Sequence, residues 1–517
     1  MPYQTVKQFY AGKNIFLTGG SGFVGVAYLE KVIRSLPDVG IIYVLLRARK
    51  GQSVEERFEI IKNNSVFETL KNMEGGPALL DKLVPVNGDI SGEKLGLSDD
   101  DEKMLIDNVN IVVHCAATLD FETDLLTAIN INLLGTKRVV DLSKKIKNLD
   151  CMLHVSSAYV NSNRSYAEEI IYEAPANYND VINYVETMDA NELNNASEKI
   201  LGDHINTYTF TKALAEHVVN DVRSNIRTCI IRPSMIVAAW KEPVEGWTVS
   251  KNGPQGFIMG ASKGVVRRLP VNKKLVYDYI PVDVVVNSMI SSVWYSAQLS
   301  ASDPAVTGQT PVFHCTTSTC NPFRWHDIQS RMNDSLNEYP IKGAVWYPTL
   351  KFLPNLFMYW ISSAIFHFIP AYILDTVTRV SGGRPILVRM HKNVNRSLSK
   401  LAPFIFNEWK FDNARTLRLH EDLGVDDKPV FYVDPTGVQW TPFFINLSLG
   451  VRKYLLKESE KTLKAAIKKN FILMWLNVAL QVSIVLLIWY LASLATGASF
   501  LSCYWAGLAV IVFGYFF

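Results

Sequence analysis

The sequence predicts an α/β chain: a doubly wound parallel sheet, a smaller, mostly helical domain after it, and a charge-free C-terminal stretch. Three observations predict it. Short apolar runs rich in β-branched residues alternate with helical patterns from about Asn14 to Arg232, as in βαβ units. A glycine loop, Thr18-Gly19-Gly20-Ser21-Gly22-Phe23-Val24-Gly25, joins the first apolar run to the first helical pattern. No Asp, Glu, Lys or Arg occurs from Asn470 to Phe517. The chain has 517 residues, too many for one core, and is expected to divide into residues 1–345, 346–460 and 470–517.

The elements follow in order. Asn14-Ile15-Phe16-Leu17 reads as the first strand and Val26–Leu36 as the first helix. Ile41–Leu46 is short, apolar and partly β-branched, which fits a buried parallel strand. Leu83–Val86 reads as the next strand, followed by a helix over Asp99–Asn108 and a strand over Ile111–His114. Leu125–Ile146 has one continuous helical period; Met152–Val155, Tyr208–Val222 and Thr228–Arg232 complete the series as strand, helix and strand. From about 345 to 460 the pattern is helical and irregular.

The glycine loop points to a nucleotide. A helix N-terminus offers unpaired N–H groups and partial positive charge to a phosphate, and glycines let the backbone approach it closely. Thr18, Gly19, Gly22, Phe23, Val24 and Gly25 are therefore the expected phosphate-side contacts in a Rossmann-type domain. A carboxylate would follow the second strand if the ligand were NAD, and Arg if it were NADP. The chain has Arg47-Ala48-Arg49-Lys50 there, so NADPH is expected, with Arg47 on the 2′-phosphate and Arg49 in support. Asp89, after the third strand, is placed to accept from the adenine amine. Ala116 and Ala117, after the fourth, are small enough for the cofactor to lie close.

Tyr208 and Lys212 stand four residues apart, which places them on one helix face. A free phenol has a pKa near 10, and an adjacent ammonium favours the phenolate, so Lys212 is expected to bring Tyr208 toward neutral pH. Lys212 is also placed to bind the nicotinamide ribose. Ser157 follows the Met152–Val155 strand, where its hydroxyl can reach a substrate carbonyl oxygen.

Glycine loop, strand-end serines and Tyr-x-x-x-Lys together resemble the extended short-chain dehydrogenase/reductases. More residues narrow this. His114-Cys115-Ala116-Ala117-Thr118, His154-Val155-Ser156-Ser157-Ala158-Tyr159, Asn206–Glu216, Arg232-Pro233-Ser234, Trp240-Lys241-Glu242-Pro243 and Pro281–Val285 resemble the alcohol-forming fatty acyl-CoA reductases, in an insect-type form. The likeness runs from about Lys13 to Tyr454, and Phe352–Tyr454 is similar to that family's C-terminal domain. Ser157 stands where the family usually has Thr, which keeps the hydroxyl. The resemblance implies NADPH-dependent reduction of a long-chain acyl-CoA to a fatty alcohol with release of CoA, with Ser157, Tyr208 and Lys212 as the catalytic residues. An alternative is another membrane-bound extended reductase, such as a 3β-hydroxysteroid dehydrogenase. A catalytically idle scaffold is the other, against which the three retained residues speak.

Composition bounds the partners. Net charge is +3, which gives no reason to expect nucleic acid. The six cysteines show no metal-ligand spacing and suit a reducing, intracellular setting. Met1–Lys13 lacks the apolar core of a secretory signal. Phe471–Ala495 and Ala498–Phe517 are each about long enough to cross a bilayer, as one span or a hairpin, with Lys461, Lys464, Lys468 and Lys469 before them. Basic flanks stay cytosolic, so the body is expected to face the cytosol. The tail has no Ser-Lys-Leu address, and endoplasmic reticulum and peroxisome both fit. A second uncharged run, Phe352–Leu374, is interrupted by Pro354 and Pro370; it reads as buried, lipid-facing or acyl-binding. A homo-oligomer is compatible with all of this.

Overall fold

A computed structural model describes residues 4–49, 51–300, 303 and 308–516. Its centre is a parallel sheet of seven strands: β1 (Ile15–Thr18), β2 (Ile42–Leu46), β3 (Leu83–Asn87), β4 (Ile111–His114), β5 (Cys151–Val155), β6 (Thr228–Pro233) and β7 (Val312–Cys315). Their order is β7-β6-β5-β4-β1-β2-β3. The winding reverses between β1 and β4, so their C-terminal ends flank the crevice where such sheets hold ligands. Phe16, Val112, Met152 and Ile230 share an apolar cluster with Phe210, Leu214 and Val218 of the Thr207–Asp221 helix. That packing seats the helix bearing Tyr208 and Lys212 against the sheet.

The fold class is the one the strand–helix alternation predicts, with β7 as an additional strand. The Asp99–Asn108 helix has the expected bounds. The segment read as one helix from Leu125 is helical without a break to Ser143, with a π-helical turn over Ile129–Leu134 between Leu125–Ala128 and Gly135–Ser143.

The chain falls into two compact units that interleave in sequence. One comprises Met1–Val249, Asp278–Phe323 and Trp409–Gln439; the other comprises Ser250–Tyr277, Arg324–Glu408 and Trp440–Phe517. The first is closed by its last segment. Tyr432 donates its hydroxyl to Asp283 Oδ2 at 2.5 Å, Lys31 donates to the Val430 carbonyl at 2.6 Å, and Val6 N–H donates to Asp427 Oδ2 at 2.8 Å.

In the second unit a short parallel pair, Arg268–Pro270 with Lys351–Leu353, underlies helices Leu356–Ser363, Ile369–Val380 and Leu387–Phe406. The C-terminal stretch forms a helical hairpin. Leu463–Thr496 ends at Gly497, whose φ of 65° glycine adopts without strain, and Tyr504–Phe516 turns back. Trp489 stacks on Phe500 with ring centroids 4.7 Å apart. The base is held by Asn470 donating to Asn337 Oδ1 at 3.1 Å and Trp346 donating to Asn477 Oδ1 at 2.9 Å. Beyond it the long helix exposes apolar residues such as Leu487, Leu491 and Leu494.

A buried ion pair fixes the Thr207–Asp221 helix to the sheet. Arg232 on β6 donates Nε and Nη2 to the two Glu216 oxygens at 2.8 and 2.6 Å, and its Nη1 lies 3.1 Å from His314 Nε2 on β7. Both charged side chains are almost fully buried. Glu216→Ala leaves the guanidinium buried and unpaired and should cost about 3 kcal/mol or more. Detergent-solubilised protein of unchanged thermal midpoint would contradict this.

Candidate active site

The glycine loop is shaped by contact with β4. Gly19 has φ 78°, and a Cβ there would lie 2.7 Å from the Ala116 nitrogen. A Cβ on Gly25 would lie 2.2 Å from the Gly19 carbonyl oxygen. Only glycine allows the loop to fold onto the start of the Phe23–Ser35 helix, whose first N–H groups then open at the C-terminal end of β1. Thr18 and Ala116 are tied directly, since Ala116 N–H donates to Thr18 Oγ1 at 3.2 Å. The Phe23 ring stacks on buried Trp247, with centroids 5.4 Å apart. Val24 is part of the same first helical turn, and Ala117 follows Ala116 in the half-exposed loop after β4. This glycine turn at a helix N-terminus, where an added Cβ would clash, fits a dinucleotide phosphate.

At the end of β2 three guanidiniums gather. Arg57 donates to the Arg47 carbonyl and lies 3.4 Å from Ser21 Oγ on the loop, and its own charge is disfavoured by burial and by the positive Arg49 and Arg47. Arg47 donates to Asp89 Oδ2 at 2.9 Å, while Asp89 Oδ1 accepts from Ser91 N–H and Oγ at 2.9 and 2.8 Å. The expected phosphate ligand and the expected adenine ligand thus form an exposed ion pair with each other. Arg57 was not legible as a site residue, because it is one charge among several on an ordinary helical pattern.

Ser157 and Tyr208 come together as the sequence predicts. Ser157 caps the short helix Ala158–Asn161, its Oγ accepting from Tyr159 N–H at 3.3 Å. Burial pushes the Tyr208 phenol up to about 12, partly offset by a hydrogen bond with Ser157. The expected lowering by Lys212 is not what the geometry supplies. Lys212, 2% exposed, donates Nζ to the Val155 carbonyl at 2.6 Å and sits 3.4 Å from His154 Nε2. Burial brings the Lys212 ammonium down to about 8, with Cys115 and Glu216 opposing.

Beneath these groups runs a buried polar chain. Thr18 Oγ1 is 2.7 Å from His114 Nδ1, and His114 Nε2 is 3.0 Å from Thr136 Oγ1. Thr136 donates to the Asn132 carbonyl at 2.6 Å; Asn132 Nδ2 donates to Thr211 Oγ1 at 3.1 Å and its Oδ1 accepts from Thr118 N–H at 2.9 Å. Burial, reinforced by Lys212, holds His114 down at about 3 and His154 well below its ordinary value, so both are neutral. Asn132 lies in the π-helical turn, which helices often carry at working sites. The sequence signal for the two histidines is that His114 ends its strand and His154 stands one residue before the end of its own; parallel register then sets Thr18, His114 and His154 side by side.

The chain matches two family models, both described as male sterility protein: an NAD-binding one over residues 17–289 and a Sterile one over residues 366–458. It is 50% identical over 95% of its length to the Drosophila melanogaster protein named "Putative fatty acyl-CoA reductase CG8306", covering 94% of that protein. It is 34% identical over 94% of its length to fatty acyl-CoA reductase 1 of Homo sapiens, covering 93% of it. The terminal R domain of the myxalamid PKS-NRPS pathway shares the fold, with TM-score 0.57 and 18% identity over 88% of this chain and 93% of that one.

Gly25→Ala should weaken nicotinamide dinucleotide binding about tenfold or more, a loss of about 1.4 kcal/mol, because the backbone must shift where the phosphate would sit; equilibrium titration checks it. Sequence, glycine cradle and sheet topology agree that the chain belongs to the fatty acyl-CoA reductase family and carries that family's nicotinamide-binding domain.

Proposed function

We propose that the protein reduces a long-chain fatty acyl-CoA to the fatty alcohol, releasing CoA, with NADPH as reductant. The observation that carries it is the convergence of Ser157, Tyr208 and Lys212 beside the glycine cradle at the reversal point of the sheet. NADPH in place of NADH is supported by the Arg47, Arg49 and Arg57 cluster next to the loop. A 2′-phosphate would compete with Asp89 for Arg47.

Two NADPH, bound in turn, would each supply one hydride, the first to the thioester carbon and the second to the aldehyde carbon. Ser157 and Tyr208 hydrogen-bond the carbonyl oxygen and stabilise the negative charge that develops there. The C–S bond then breaks, the electron pair leaves on the CoA sulfur, and aldehyde remains. In the second reduction Tyr208 gives its proton to the oxygen. A phenol held at about 12 is fully protonated at neutral pH, which suits a donor. In this reading Lys212 would turn its ammonium from the Val155 carbonyl to the nicotinamide ribose and return a proton to Tyr208.

The substrate's chemistry favours a membrane. Each buried CH₂ contributes about 0.8 kcal/mol to partition, so acyl-CoA and alcohol both collect in lipid. The Glu460–Thr496 segment is long and apolar enough to cross a bilayer. We read the hairpin as the anchor in an intracellular membrane, endoplasmic reticulum or peroxisome, with the catalytic body on the cytosolic side.

Membranes containing the protein, given labelled acyl-CoA and NADPH, should yield alcohol; absence of alcohol over a range of chain lengths would sink the reading. Tyr208→Phe should abolish alcohol formation while leaving NADPH binding intact. Arg47→Asp should move preference from NADPH toward NADH, and an unchanged ratio counts against the cofactor assignment. The rate should fall as pH rises through about 8, where Lys212 loses its proton, and not near the much higher value of Tyr208. A basic limb only above pH 10 would refute that assignment.

A further inference from the structure

The uncharged run that leads into the Sterile match has an unpartnered face. Leu356–Val380 is helical throughout, with a π turn over Ala364–Phe368. Phe357, Trp360, Ile365, Ile369, Ile373 and Val380 are all exposed, Phe357 at 72% and Val380 at 84%. Their spacing is helical except for the longer step from Trp360 to Ile365, and the π turn absorbs it, so the residues form one stripe.

The opposite face is polar and fastened to its own unit. His367 Nε2 accepts from Arg267 N–H and Arg268 N–H at 3.1 and 3.2 Å, and its ring stacks on His391 at 4.9 Å. Tyr359 donates to Asn395 Oδ1 at 2.6 Å. Buried Asp375 accepts from the N–H groups of Ile386, Leu387 and Val388, fixing the turn into the Leu387–Phe406 helix. The segment is long enough to span a bilayer, but a surface position leaves this polar face on its own unit and gives only the apolar face to lipid.

Two further observations say what covers the stripe. The stretch from Thr376 to Asn407 has no acidic residue and carries Arg379, Arg384, Arg389, Lys392, Arg396 and Lys400. The stripe also begins beside the hairpin: Lys351, just ahead of it, donates Nζ to the Gly514 carbonyl on the returning helix at 3.2 Å. From Val478, next to the docked base, to Thr496 the long helix extends about 28 Å at ~1.5 Å per residue, close to one ~30 Å hydrocarbon core. The stripe therefore starts at the level where the hairpin leaves the body.

We propose that the Leu356–Val380 face lies in the surface of an anionic bilayer, its apolar side chains among the acyl boundary and the neighbouring arginines and lysines on the headgroups. Interfacial helices combine apolar area with basic flanks in this way, and each basic residue near an anionic surface contributes about 1 kcal/mol. The proposal rests on the reading that the hairpin is the membrane anchor. It adds a second contact, which holds the body flat against the leaflet from which an acyl chain would be taken.

The test uses the full chain reconstituted into phosphatidylcholine vesicles with and without phosphatidylserine. An environment-sensitive fluorescent amino acid is placed at Ile373 or at Leu487, and spin-labelled lipids quench from shallow or deep positions. Shallow lipids should quench the probe at 373, more strongly with phosphatidylserine, and deep lipids should quench the probe at 487. The combined Arg384→Glu, Arg389→Glu and Lys392→Glu variant should lose the quenching at 373 and keep that at 487. Quenching at 487 with none at 373 overturns the proposal and leaves the anchor reading standing. No quenching at either position overturns both. A probe at 373 that is shielded from water yet unquenched by lipid places a second copy of the chain on the face and also overturns it. Quenching at 373 by deep lipids alone would make the segment a span and refute an interfacial position.

Discussion

The site depends on one buried hydrogen-bond chain. Thr18 at the end of β1, His114 at the end of β4, Thr136 and Asn132 beyond it and Thr211 on the Thr207–Asp221 helix are joined in series. The chain crosses from the glycine loop to the turn of helix beside Tyr208 and Lys212. Buried polar groups are costly unless each is partnered, so the series fixes the relative positions of the glycine cradle and the helix that carries Tyr208. Neutral histidine suits this place, since an imidazolium there would face Lys212 in a medium of low polarity.

Tyr208 and Lys212 share a helix face, yet burial shifts them in opposite senses. The phenol becomes a weaker acid and the ammonium a stronger one. The shared cause is desolvation, which disfavours whichever form is charged. At neutral pH the phenol keeps its proton and the lysine is the group nearer its titration point. The i,i+4 spacing alone suggested the reverse emphasis, because spacing gives adjacency but not the Val155 carbonyl that draws the lysine Nζ away.

What was legible in the sequence is what local pattern specifies. The glycine loop, the β-branched runs and the Tyr-x-x-x-Lys spacing are readable because each is short and its physics is local. Arg57, His114, His154 and Asn132 were not singled out as site residues. Their roles arise from strand register and from a packed helix turn, which bring together residues far apart in the chain. The π turn over Ile129–Leu134 was invisible, since an extra residue in a helix barely disturbs its apolar period. The return of Trp409–Gln439 to the dinucleotide-binding unit was invisible too, for the pattern there is irregular and its partners lie at Val6, Lys31 and Asp283.

That returning segment sets the order in which the protein can be made. Domains fold as their sequence emerges from the ribosome, but here the dinucleotide-binding unit lacks its closing strap until Gln439 has appeared. By then most of the second unit has already been synthesised. The hairpin follows a short way behind, so the enzyme body reaches completion only as its apolar tail comes off the ribosome. The closing of the dinucleotide-binding fold and the emergence of the apolar hairpin are thereby brought close together in time.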